Sequence, residues 1–171
     1  AYRTGFRMVH GEPYDVVVTM DADFSHDPKE IPELIRLVES GSDVVVGSRY
    51  CVGGRIANWP WHRRALSKWA NKFTRAMLGV TASDCTSGYR AYSASALDLI
   101  ETENVPGDGY VFLSQIIYRA GKAGLRISEH PITFKDRELG ESKMNWKVIV
   151  ESMMLVTIIG VKRRLASLTG R

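Results

Sequence analysis

The sequence predicts an α/β fold, a mostly parallel sheet flanked by helices. Three observations carry this expectation. Residues 14–20 (YDVVVTM) form an apolar, β-branched run, and residues 43–48 (DVVVGS) form a second. Between them Ile31, Leu34, Ile35 and Val38 recur at helical spacing. Strands almost free of polar positions, joined through a helix, are the pattern of a βαβ unit covered on both faces.

The elements follow in order. Asp27-Pro28 starts the first of these helices, which runs to Ser40 and stops at Gly41. Residues 50–61 read as a loop, with Gly53-Gly54 and Pro60. Residues 63–78 read as a helix whose apolar stripe is Leu66, Trp69, Ala70, Phe73 and Met77, with Arg64, Ser67, Lys68, Asn71, Lys72 and Arg75 on the remaining surface. Residues 81–92 are polar and contain a glycine. Helices are expected over 93–100 and 112–123. A strand is expected over 126–134, interrupted at Pro131. Residues 135–143 (KDRELGESK) form a charged loop, and 144–165 a long final helix.

The chain has 171 residues, 44% hydrophobic and 25% charged, an ordinary balance for one globular domain. Its two cysteines, Cys51 and Cys85, are too few for a disulfide scaffold. The first residue is Ala1, so the chain reads as starting after processing or within something longer. The apolar stretch 148–161 contains Glu151 and falls short of the ~20 residues that span a bilayer. Its Met153, Met154, Leu155, Ile158 and Ile159, followed by Lys162-Arg163-Arg164, suit either a packed helix or one lying on a membrane surface.

The net charge of +4 is unevenly distributed. Residues 1–48 sum to −5, and residues 49–75 hold seven basic groups and no acid. Such a block attracts a polyanion: phosphates, nucleic acid or an anionic membrane.

Asp21 and Asp23 stand just beyond the first strand, where parallel sheets bind ligands. Two carboxylates there suit a hard divalent cation that also holds substrate phosphates; capping of the next helix by Ser25 or Asp27 is the structural alternative. Arg49 holds the corresponding place after the second strand, where a guanidinium grips a phosphate through two bonds. Arg63, Arg64 and Ser67 open the basic helix, whose N-terminus favours anions. Trp59, Trp61 and His62 interleave aromatics with these arginines, which suits nucleic acid as well as a phosphate head group on a greasy chain. In residues 83–90 (SDCTSGYR), Asp84 suits a base, a sugar-orienting group or a turn.

Taken together these motifs resemble one family. They are Asp21-Ala22-Asp23-Phe24-Ser25-His26-Asp27-Pro28, Gly47-Ser48-Arg49-Tyr50, Arg63-Arg64 with Ser67, Asp84 through Arg90, Gly109-Tyr110-Val111-Phe112, Pro131-Ile132, Asp136-Arg137 and Gly140-Glu141-Ser142-Lys143. In this order they are similar to the dolichol-phosphate (polyprenol-phosphate) mannose synthases, family 2 glycosyltransferases of GT-A fold. The resemblance implies transfer of mannose from GDP-mannose to a polyprenyl (dolichyl) monophosphate with inversion. It implies Mg²⁺ or Mn²⁺ on Asp21 and Asp23, with Ser25 where many relatives carry a Gln of the metal shell. It implies acceptor phosphate on Arg49, Arg63, Arg64 and Ser67, and a closing loop bearing Arg137 and Lys143. Asp23, Asp84 and Arg90 form the candidate catalytic set.

The resemblance also implies a peripheral place on the cytoplasmic face of a membrane, no nucleic acid as partner, and an isoprenoid groove between the basic and final helices. The family's opening strand and nucleotide-binding motif would precede Ala1. Residues 1–143 then form the metal and acceptor part of an incomplete GT-A domain, with 144–171 as an amphipathic helix, and the isolated chain is expected to transfer weakly or not at all. Two other readings stay open: another donor such as UDP-glucose, and a non-catalytic module binding lipid phosphate or nucleic acid.

Overall fold

The computed structural model describes residues 1–102, 105, 109–136 and 146–168. The helices are α1 (Tyr2–Val9), α2 (Ile31–Glu39, led in by a 3-10 turn at Pro28–Glu30), α3 (Trp61–Leu78), α4 (Ala94–Ile100), α5 (Gly109–Lys122) and α6 (Trp146–Leu168). The strands are β1 (Val16–Thr19), β2 (Val44–Ser48), β3 (Arg55–Ile56), β4 (Arg90–Ser93), β5 (Ile127–Pro131) and β6 (Thr133–Phe134).

The main sheet has the order β1-β4-β2-β5, and β3 pairs with β6 in a small second ribbon. β1 and β2 each pair antiparallel with β4, and β2 pairs parallel with β5. Three strands therefore share one direction and β4 opposes them. The β1-α2-β2 unit is present, but its two strands are not neighbours. β4 fills the place between them. It escaped the sequence pattern because it is four residues long and begins on an arginine, at the end of a stretch that reads only as polar and glycine-containing.

Alternation along the central strands divides the core into two layers. Val44, Val46 and Tyr92 face α1, α4 and α5, where Phe6, Ile100, Phe112, Ile116 and Ile117 complete one cluster. Val45 and Ala91 face α2, where Leu34 and Val38 complete the other. Every residue of β2 is buried, as expected of a strand covered on both faces. Of the two candidate caps, Asp27 is used: its carboxylate accepts from Lys29 N, while Ser25 is turned to Asp23.

The basic helix α3 buries part of its polar side, including Asn71, which the sequence places on the outer surface. Its buried residues are Asn71, Thr74 and Leu78, whereas Leu66 and Trp69 of the apolar stripe are exposed, Trp69 by 54%. The physical reason is the neighbour on the inner side. Residues 83–90 present polar backbone there, and Asn71 satisfies it by accepting from Cys85 N at 2.9 Å and donating to Thr86 Oγ1 at 3.2 Å. The apolar side is left to α6. The two helices approach closely at Gly160, where a Cβ would lie 2.8 Å from the Met77 carbonyl oxygen. The boundary expected at 143/144 lies outside the described residues.

Candidate active site

The ends of β1 and β2 and the loop before β4 meet at one side of the sheet. Thr19 Oγ1, at the end of β1, donates to the Gly88 carbonyl at 2.8 Å and ties strand to loop. Asp21 follows in an exposed position, with its Oδ1 accepting from the Tyr2 hydroxyl at 2.9 Å. Asp23 Oδ1 accepts from the backbone N of Ser25 at 3.1 Å and from its hydroxyl. Between them Phe24 holds φ of 62°, a left-handed conformation unusual for an aromatic residue. Strained backbone of this kind clusters at functional sites.

His26 is buried against the rings of Tyr89 (4.9 Å) and Phe134 (5.3 Å), and its Nδ1 has no hydrogen-bond partner. Burial lowers its pKa, outweighing the neighbouring carboxylates, so the ring is neutral at pH 7.

Arg49 and Asp84 form the electrostatic centre. Arg49 Nε donates to Asp84 Oδ2 and Nη2 to Oδ1, both at 2.7 Å, and Nη2 also reaches Thr86 Oγ1 at 2.8 Å. Asp84 is fully buried and also accepts from the backbone N of Arg49, Thr86 and Ser87. Burial opposes its ionisation, but the guanidinium and these N–H groups outweigh burial and hold the carboxyl below its usual range. The loop itself is anchored from β5: Glu129 accepts from Ser83 N, Ser83 Oγ and Asp84 N.

Of the roles open to Asp84 from sequence, this geometry fits an orienting group and not a base. Both of its oxygens are committed to Arg49 and the loop, so it orients Arg49 rather than reaching a substrate. Arg90 also departs from the catalytic set. It is fully buried and donates to the carbonyls of Leu113 and Cys85, which places it in the core joining β4 to α5.

Arg63 lies over the Trp59 ring at 3.9 Å and pairs with Asp136 at 3.1 Å. Ser67 Oγ accepts from the Tyr50 hydroxyl at 2.7 Å. Asp21, His26, Arg49, Trp59, Arg63, Ser67 and Thr86 line a common cleft of about 1090 Å³, open mouth included. Arg64 is exposed and is not part of its wall, because the helix turns it away from Arg63. Arg137 and Lys143 lie outside the described residues. Tyr2, Trp59 and Thr86 were not singled out from sequence as site residues. The aromatic–arginine interleaving was a signal for Trp59 only.

The cleft continues into an apolar groove between α3 and α6. Leu66, Ile149 and Met153 belong to both, and Trp69, Phe73, Val150, Met154 and Ile158 extend the groove. Met154 and Ile158 of this lining are exposed, as are Val161 and Leu165 further along α6 and Trp61, 80% exposed, at the start of α3. No described helix is long and apolar enough to cross a membrane.

Among the described residues no group of three or more His, Cys, Asp or Glu is placed to hold a metal by itself. Of the expected donors Asp21 lines the cleft and Asp23 and Ser25 do not, so a cation beside Asp21 would need ligand oxygens to complete its shell. Asp21 presents a carboxylate to the cleft beside Gly88, where a Cβ would lie 3.1 Å from Asp21 Oδ1. One or two carboxylates plus substrate phosphates is the usual provision for Mg²⁺.

Residues 1–100 match the family model described as glycosyl transferase family 2. The chain belongs to this family. It is 44% identical over 170 residues to a polyprenol monophosphomannose synthase of Mycolicibacterium smegmatis, covering 99% of this chain and 64% of that protein. It is 42% identical over 171 residues to an undecaprenyl-phosphate mannosyltransferase of Micrococcus luteus, covering 100% of this chain and 70% of that protein. A dolichol-phosphate mannosyltransferase of Pyrococcus furiosus is 38% identical over 149 residues, 86% of this chain and 40% of that protein.

The crystal structure of M. tuberculosis glucosyl-3-phosphoglycerate synthase superposes with a TM-score of 0.56 at 19% identity, over 92% of this chain and 53% of that one. The fold of this family 2 member is accordingly GT-A-like, with mixed strand directions. The chain spans less than two thirds of the first relative's length.

Proposed function

We propose that this family 2 member transfers mannose from GDP-mannose to the phosphate of a polyprenyl monophosphate, with inversion at the anomeric carbon. The observation that carries this reading is the continuity of the site. A cleft lined by a carboxylate and two arginines opens into an apolar groove through Leu66, Ile149 and Met153. A charged head on a long hydrocarbon tail matches both parts. The names of the M. smegmatis, M. luteus and P. furiosus relatives support the same acceptor class and the same sugar.

The chemistry needs little proton transfer. A phosphate monoester has a second pKa of about 6, so its oxygen is already a nucleophile near neutrality. It attacks the anomeric carbon from the face opposite the diphosphate. The new C–O bond forms as the bond to GDP breaks, and GDP leaves with the electron pair. The obstacle is repulsion between two anions held close together.

Arg49, Arg63 and Ser67 would hold the acceptor phosphate and offset its charge. Arg49 comes ready oriented, because Asp84 fixes two of its nitrogens while Nη1 takes part in neither bond. Arg63 stacked on Trp59 would exchange Asp136 for phosphate. Asp21 and Asp23 would hold Mg²⁺ or Mn²⁺, with Ser25 supporting Asp23 through its hydroxyl; the ion would neutralise charge on the departing diphosphate.

The protein would sit peripherally on the cytoplasmic face of a membrane, with Trp61, Trp69 and the exposed side of α6 toward the lipid. Aromatics and basic residues around an apolar face favour that placement. The test is a transfer assay with the complete gene product, a polyprenyl phosphate and a panel of GDP- and UDP-sugars. Labelled mannolipid formed only from GDP-mannose is the expected result. Glucolipid from UDP-glucose, or no transfer, would refute it.

A further inference from the structure

We propose that Tyr2 is a positioning residue for this site: its phenol fixes the Asp21 carboxylate in the orientation that meets a divalent cation. The inference rests on the reading of Asp21 as a cation ligand.

The geometry is over-determined from the core outward. On α1, Phe6 is buried edge-on to Tyr92 at 5.5 Å and tilted against Phe112 at 6.4 Å. That anchor sets where Tyr2, one turn earlier, must lie. The Tyr2 ring stacks on Phe112 at 6.1 Å with an interplanar angle of 28°. Its hydroxyl then falls 2.9 Å from Asp21 Oδ1, and Oδ2 takes no part in that bond. An exposed carboxylate beyond a strand end would otherwise sample several rotamers. Outer hydrogen bonds of this kind commonly orient metal-binding carboxylates.

Gly88 is the second, independent part of the arrangement. A Cβ at this position would lie 2.2 Å from the Tyr2 hydroxyl and 3.1 Å from Asp21 Oδ1. The phenol and the carboxylate meet in space that exists only because residue 88 has no side chain. The bond from Thr19 to the Gly88 carbonyl holds that space in register with the end of β1. Three segments distant in sequence thus converge on one carboxylate orientation.

The test uses Mn²⁺ alone, titrated into the 171-residue chain and followed by the loss of the free-ion EPR signal. Asp21→Ala establishes how much binding depends on that carboxylate. Tyr2→Phe keeps the ring stack and removes only the hydroxyl. It should weaken Mn²⁺ binding about tenfold with the thermal midpoint unchanged, and should cause no further loss when combined with Asp21→Ala.

Gly88→Ala should weaken binding similarly, because the added Cβ displaces the phenol although both Tyr2 and Asp21 are unchanged. If Asp21→Ala loses Mn²⁺ and Tyr2→Phe binds like wild type, the positioning role is wrong and the cation reading stands. If Asp21→Ala binds Mn²⁺ unchanged, the cation reading fails and this inference with it.

Discussion

Arg49 and Asp84 form a buried, two-point ion pair, with both nitrogen–oxygen distances at 2.7 Å. The pair joins the end of β2 to the loop before β4. It also delivers a pre-oriented guanidinium to the wall of the cleft. Removing one partner leaves the other as an uncompensated buried charge, which costs about 3–5 kcal/mol. Asp84→Ala should therefore lower the urea unfolding free energy by that order. Arg49→Lys should fold better than Asp84→Ala and still raise the KM for the lipid phosphate, because an ammonium cannot make two parallel bonds.

The same pair sets an acid limit on stability. Asp84 is held below its usual range by Arg49, so its folded pKa lies under the unfolded value of about 3.9. Its contribution is fully present above that unfolded value and is lost as pH falls through the folded one. Unfolding followed by circular dichroism should show a stability loss below about pH 4 in the wild type. Asp84→Asn should have lower stability at neutral pH and a shallower decline in that acid range.

The groove predicts a dependence on acceptor length. Trp69 and Phe73 line its outer part, away from the arginines. Trp69→Ala should raise the KM for a long polyprenyl phosphate about tenfold, from the apolar burial lost. A short alkyl phosphate with no isoprenoid to lie in the groove should be transferred with little change. Equal effects on both acceptors would argue that the groove does not hold the chain.

Gly160 sets how closely α6 approaches α3. A Cβ there would lie 2.8 Å from both Met77 Cε and the Met77 carbonyl oxygen, and the backbone atom has little freedom to retreat. Gly160→Val should separate the helices and destabilise the protein by about 1–3 kcal/mol. Thermal unfolding checks the magnitude.

How much of this was legible beforehand depends on the range of the interactions. β2 could be read because burial on both faces leaves an unbroken apolar run, and β1, only half-buried, carries the same β-branched run. β4 could not, because Arg90 opens it and its partners are supplied by strands far away in sequence. The arginine also looked catalytic for the same reason: its carbonyl partners, Leu113 and Cys85, are invisible without the fold.

Periodicity showed which α3 residues share a face, but not what each face meets. Asn71 therefore reads as a surface residue from sequence, whereas the fold turns it to the polar loop at 83–90. The placement of Asp21, Arg49, Arg63 and Ser67 around one cleft followed the logic of strand ends and helix starts. Tyr2 had no local signal, since it acts on a carboxylate nineteen positions away.

In the proposed reaction one site would join a cation-held leaving group to an arginine-held lipid phosphate. The most direct measurement is transfer of labelled mannose from GDP-mannose to polyprenyl phosphate by the complete gene product, with Mg²⁺ and after EDTA. The expected result is transfer that EDTA abolishes, Mg²⁺ or Mn²⁺ restores, and Asp23→Ala eliminates. Transfer that survives EDTA unchanged, or an Asp23→Ala variant as active as wild type, would contradict it.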